Sequence, residues 1–142
     1  GSVNRARQVA NRSEAPLAIV DKRRPKANVS EVMNVIGEVK GMRALILDDL
    51  IDTAGTLVRA AKAIKDKGAI EVIACGTHAV FSGMAVQRIQ DSVLDEIIVS
   101  DSIPLRPEAA ACPKISTVSF APLIGEAIKR IHDEESISIL FS

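Results

Sequence analysis

The chain has 142 residues with 47% apolar and 25% charged residues, enough for one compact domain with its own core and short for two. Formal charge is zero, but residues 1–43 hold nine Lys and Arg against four Asp and Glu, so a basic first third meets an acidic remainder. Three Phe without Tyr or Trp leave little for bases to stack on, which argues against nucleic acid, and no apolar run is long enough for a membrane span. No secretory signal is expected, because the basic N-terminal residues lack an apolar run behind them. Cys75 and Cys112 sit 37 residues apart, and His78 is the sole His or Cys near either in sequence, too few for a structural zinc set. They read as two reduced thiols, Cys75 buried in a strand, in a cytoplasmic protein.

Taken in chain order, β-rich runs alternate with helix-period segments. That pattern predicts an α/β fold, a parallel sheet flanked by helices, as a single domain over 1–142. A helix is expected near 4–12, opening the chain with no strand before it to pack against. On that ground the chain reads as the C-terminal part of something longer. Strands of this mostly parallel sheet are expected at 17–20, 44–47, 71–75, 97–100 and 115–119, and helices at 56–67, 83–90 and 122–133. In the helix after the second strand, Leu57, Ala60, Ala61 and Ile64 recur at helical spacing, and Gly68 supplies its stop. Ile124, Ala127, Ile128 and Ile131 share one face of the last helix. Asp21–Asn28 clusters four cations around a proline and reads as an exposed loop, and Val35–Lys40 as an edge strand or flap.

The chemistry concentrates in ALILDDLIDTAGTLVRAAKAIKDKG, residues 44–68. An apolar strand delivers Asp48 and Asp49 at its C-terminal end, where ligands bind in open α/β sheets. Asp52, Thr53, Ala54, Gly55 and Thr56 follow, and a helix begins. Gly55 permits a tight turn, successive N–H groups form an anion nest, and the helix dipole adds to it. The hydroxyls of Thr53 and Thr56 can donate to the same phosphate. Like charge sets Asp48 and Asp49 against a phosphate, but sugar hydroxyls or a bridging Mg²⁺ suit them. The strand should be a central one, with the loop N–H groups converging at the helix start. No Gly-Lys-Ser/Thr ending is present, so this is not a Walker A loop.

LILDDLIDTAGT resembles the 5-phosphoribosyl-1-diphosphate (PRPP) binding motif shared by type I phosphoribosyltransferases and ribose-phosphate pyrophosphokinases. Four further segments, AIVDKRRPKANVSEVMNVIGEVKG, CGTHAVFSG, SDSIPL and SISILFS, resemble the second family and span nearly the whole chain. The resemblance implies a type I phosphoribosyltransferase-like domain of a ribose-phosphate diphosphokinase, which makes PRPP and AMP from ATP and ribose 5-phosphate with Mg²⁺. It implies Lys22 and Arg24 as catalytic loop residues. Arg24, Asp48, Asp49, Asp52, Thr53, Ala54, Gly55 and Thr56 would bind ribose 5-phosphate, and Ser136 and Ser138 would belong to a regulatory site. His78 falls in a structural turn, and no metal ligand is assigned within the chain. A homo-oligomer, a hexamer in the full-length family, is implied as well. The family's ATP half and its PDxGG turn would precede Val3. The fragment alone is therefore expected to be inactive, and whether Gly1 and Ser2 are native stays open. A non-catalytic associated subunit and a type I phosphoribosyltransferase are the alternatives.

Overall fold

Apolar alternation and helix periodicity are realised as a parallel sheet with a separate two-stranded ribbon, in a computed structural model that describes residues 2–23 and 32–141. Helix α1 (Ser2–Arg12) leads into β1 (Ile19–Arg23) and β2 (Val32–Ile36), followed by β3 (Arg43–Ile51) and α2 (Gly55–Asp66). Then come β4 (Glu71–Ala79), α3 (Ala85–Gln90), β5 (Glu96–Ser100) and the short α4 (Pro107–Ala110). Strand β6 (Ile115–Val118), α5 (Ala121–His132) and a 3-10 turn (Ser138–Phe141) complete the order.

The parallel sheet runs β3-β4-β5-β6, with Leu47 beside Cys75 and Cys75 beside Ile98. One face carries the core. Val72 and Ala74 of β4 and Ile97 and Val99 of β5 are buried beneath Leu57, Ala61 and Ile64 of α2 and Ala85 and Ile89 of α3. The helical spacing of Leu57, Ala60, Ala61 and Ile64 thus turns one stripe of α2 onto the sheet. Burying side chains such as Ile97 and Val99 contributes roughly 1.5–3 kcal/mol each.

The other face is open. Leu47, Cys75, Ile98, Val9 and Phe120 line a cavity of about 420 Å³ there, and Leu45 and Val118 are exposed. Cys75 is therefore half-buried, and Cys112, in the segment after α4, is the buried thiol.

Three expectations need correction. The run at 17–20 is no parallel strand: Ile19–Arg23 pairs antiparallel with Val32–Ile36, Ile19 opposite Ile36. Apolar content marks a run as extended but does not select its partner. The 21–28 stretch enters that ribbon at Asp21–Arg23, and the rest of it lies outside the described residues. Strand β3 is not central but outermost in the four-stranded sheet, because the ribbon that precedes it pairs with itself. The apolar face of α5, on which no cover was assigned from sequence, is exposed among the described residues, with Ile128 and Ile131 63% and 64% exposed.

Candidate functional site

β3 runs through Asp48 and Asp49 to Ile51, which is buried and anchors the end of the strand. Three residues later Ala54 turns left-handed, with φ of 58° and ψ of 1°, and α2 begins at Gly55. Ala54 is buried, while Asp52, Thr53 and Thr56 are exposed. The first N–H groups of α2 lack intrahelical partners, and no side chain caps them. Donor groups and the positive end of the helix dipole thus meet where the two threonines stand. The loop lies at the C-terminal end of a parallel strand and the N-terminus of a helix, as expected, but the strand is an edge strand and not the central one expected, which counts against the site.

The adjacent carboxylates differ in environment. Burial pushes the Asp48 carboxyl above its usual range, and the neighbouring Asp49 charge adds to this. Asp48 Oδ1 also accepts from the Asp49 backbone N–H at 2.9 Å. Asp49 is held below the usual range by Arg5 of α1, whose Nη2 donates to Asp49 Oδ2 at 2.8 Å. Asp48 and Arg5 both border the open cavity beside Cys75. Asp49 is therefore ion-paired, whereas Asp48 has no ion pair among the described residues, and two such carboxylates suit hydroxyl recognition.

The segment after β4 grips the loop from one side. Phe81 N–H donates to Ile51 O at 3.0 Å, Ser82 N–H to Asp52 O at 3.1 Å, and Arg88 Nη1 to Thr53 O at 2.8 Å. Ser82 Oγ donates to Asp52 Oδ1, and Arg106 to Phe81 O. Sequence reasoning does not single out Arg5, Arg88 or Arg106, and it takes Ser82 only as part of CGTHAVFSG, without a role. Their partners lie across the fold, and no local spacing announces them.

The other expected residues lie apart in the chain. Lys22 falls in β1 opposite Met33, and Arg24 lies outside the described residues. The ribbon that carries Lys22 is tied to the far end of α2, where Lys67 Nζ donates to Val35 O and, at 3.4 Å, to Gly37 O. Ser136 and Ser138 hydrogen-bond to each other through their hydroxyls. His78 Nδ1 and Ser102 Oγ are 3.0 Å apart, and Ser102 Oγ donates to Thr77 O, a local network joining the ends of β4 and β5. Among the described residues no three His, Cys, Asp or Glu side chains are grouped to hold a metal ion.

A family profile described as "Phosphoribosyl synthetase-associated domain" matches residues 1–142. The ribose-phosphate pyrophosphokinase of Caldanaerobacter subterraneus subsp. tengcongensis is 58% identical over 142 residues, all of this chain and 45% of that protein. That of Corynebacterium ammoniagenes is 56% identical, over all of this chain and 44% of its own length. That of Bordetella pertussis is 58% identical, over all of this chain and 46% of its own. The crystal structure of phosphoribosylpyrophosphate synthetase from Mycobacterium smegmatis superposes with a TM-score of 0.78 at 31% identity, covering 92% of this chain and 42% of that one. The chain spans less than half the length of these relatives. It belongs to the ribose-phosphate pyrophosphokinase family, as that family's phosphoribosyl synthetase-associated domain.

Proposed function

We propose that this domain is the ribose 5-phosphate-binding and loop-bearing part of a ribose-phosphate diphosphokinase. The observation that carries the reading is the loop from Asp52 to Thr56, set between the Asp48–Asp49 strand end and the start of α2. The 5-phosphate sits on the loop N–H groups and the hydroxyls of Thr53 and Thr56, and the ribose hydroxyls face Asp48 and Asp49. In the reaction the anomeric oxygen of ribose 5-phosphate bonds to the β-phosphorus of ATP. The bond from that phosphorus to the α–β bridging oxygen breaks, AMP leaves, and the anomeric proton passes to solvent. Such a transfer develops charge on nonbridging oxygens, so positioning and cationic stabilisation supply most of the acceleration. Lys22 and Arg24 fill that role, Lys as a point charge and Arg as a planar fork.

The donor set fits Mg²⁺ only in a limited way. Asp49 is already paired with Arg5, and Asp48 is the one of the two without an ion pair among the described residues. Such a pair suits an ion that keeps most of its water and phosphate ligands, not a resident ion in a protein cage. Bound with ATP, Mg²⁺ would supply charge neutralisation at the phosphates. The ATP-binding groups belong to the length of the relatives that this chain does not span. Ser136 and Ser138 are assigned to a regulatory site and the family's homo-oligomer to the assembled enzyme, which works in the cytoplasm. Full-chain identity to pyrophosphokinases favours this reading over a phosphoribosyltransferase.

Thermal unfolding tests it. Ribose 5-phosphate at a hundredfold excess over Kd should raise the midpoint by about 5–10 °C. Thr53→Val with Thr56→Val should abolish the shift, ATP alone should do little, and this chain alone should make no PRPP. No shift in folded protein would remove the site. In an enzyme of the relatives' full length carrying this domain, Lys22→Ala should lower turnover roughly 100-fold or more while ribose 5-phosphate affinity changes far less. Equal losses would make Lys22 a substrate anchor, and intact turnover would favour a non-catalytic subunit lineage.

A further inference from the structure

Among the described residues, the carbonyls of the loop that starts α2 are held from one side. Three successive carbonyls, those of Ile51, Asp52 and Thr53, each accept a hydrogen bond from the segment after β4. A trans peptide is planar, and its C=O and the following N–H point in opposite directions. Drawing those three oxygens toward Phe81, Ser82 and Arg88 therefore turns the N–H groups of Asp52, Thr53 and Ala54 the other way. An anion nest is made of N–H groups directed in this manner. The donors to Ile51 and Asp52 are backbone N–H groups, whereas the donor to Thr53 is a side chain, Arg88 Nη1 at 2.8 Å. Thr53 O also belongs to the peptide plane entering Ala54, the residue with φ of 58°.

The gripping segment is itself held in an uncommon conformation. Phe81 has φ of 46° and is 1% exposed, and its carbonyl accepts from Arg106. A bulky residue keeps such a backbone angle only where its surroundings over-determine it. Burial, the bond to Ile51 O and the bond from Arg106 do so here.

We infer that Arg88 is a positioning residue for the anion loop, setting the direction of the N–H groups around Ala54 through the Thr53 carbonyl. This rests on the loop being the ribose 5-phosphate site. Arg88 is exposed on α3, so its substitution leaves the core intact.

The test is titration of the 142-residue chain with ribose 5-phosphate and, separately, inorganic phosphate, together with amide NMR shifts of residues 53–55. Arg88→Met should weaken both ligands about tenfold, the usual worth of a hydrogen bond to a charged group, and move the Ala54 amide resonance without ligand. Arg88→Lys should restore most of the affinity, and Arg88→Gln, a neutral donor, part of it. Ser82→Ala, which removes the hydroxyl donated to Asp52, should weaken both ligands too and serves if Arg88→Met does not fold. Unchanged affinity and an unmoved Ala54 amide in Arg88→Met would overturn the assignment. So would Arg88→Gln as weak as Arg88→Met, because charge alone would then explain the loss. Failure of the unsubstituted chain to bind either ligand would instead overturn the site reading, and the positioning role with it.

Discussion

Ala54 and the two aspartates before it show how single residues set the character of the site. At φ of 58°, Ala54 holds a conformation that disfavours a Cβ, yet its methyl is buried. Ala54→Gly should therefore change stability by less than about 1 kcal/mol, relief of strain offsetting lost burial and a freer unfolded chain. Ala54→Val should cost more than about 2 kcal/mol, since a branched side chain is unsuited both to that angle and to the space. Urea denaturation separates the two. Asp48 and Asp49 differ by environment, not identity. Raised by burial, Asp48 holds its proton to higher pH folded than unfolded, so it penalises the fold above its unfolded pKa, and the penalty fades as pH falls through the folded one. Asp49, lowered by Arg5, stabilises above its unfolded pKa, and this is lost as pH falls through the folded value. Carboxyl NMR titration should place Asp48 above and Asp49 below the ordinary value of about 3.9. Arg5→Gln should raise both, because the Arg5 charge also lowers Asp48. Asp48, Asp49 and the TAGT turn were legible because strand end, turn and helix start are neighbours in sequence. Arg5, 44 positions from Asp49, was not.

Between elements, the fit of β3 against β4 carries the loop. A Cβ placed on Gly76 would lie 2.5 Å from Ile51 Cδ1 and 2.8 Å from Ile51 Cγ1, and Ile51 is the last residue of β3. Gly76→Ala should destabilise by about 1–3 kcal/mol through this overlap. It should also weaken ribose 5-phosphate binding, by displacing the strand end from which the loop departs. Ile51→Val removes Cδ1 and alone costs about 0.5–1.5 kcal/mol. Added to Gly76→Ala it should recover stability, a coupling that a double-mutant cycle measures. Elements with a strong period of their own, such as α2, were readable to within a residue. The ribbon was not: Leu17–Val20 is apolar enough for a sheet strand, but pairing is decided by register with Val32–Ile36, where Val20 meets Val35 and Ile19 meets Ile36. For the same reason the edge position of β3 was invisible. Its apolar run is compatible with a strand covered by neighbours on both sides, and the strands available to pair with it are a property of the assembled sheet.

Across the whole molecule, order is unevenly supported. Helix α2 buries Leu57, Ala60, Ala61 and Ile64, whereas α5 buries none of its residues despite a well-formed apolar face. Amide hydrogen exchange should report this directly: α2 protected up to the global unfolding free energy, α5 exchanging through local openings far below it. Equal protection would show that α5 is covered in solution. Periodicity established that α5 has an apolar face, but not what lies against it, because a face is written locally and its cover is not. The one-sided grip on the loop has a kinetic consequence. Among the described residues, the hydrogen bonds to the carbonyls of Ile51, Asp52 and Thr53 come from the segment after β4, so the threonine side is reached without breaking any of them. A phosphate arriving there meets donors already aimed, and capture need not wait for rearrangement. Association should then approach the diffusional ceiling of about 10⁸–10⁹ M⁻¹s⁻¹ for small ligands, leaving residence time as the quantity by which this site sets its affinity.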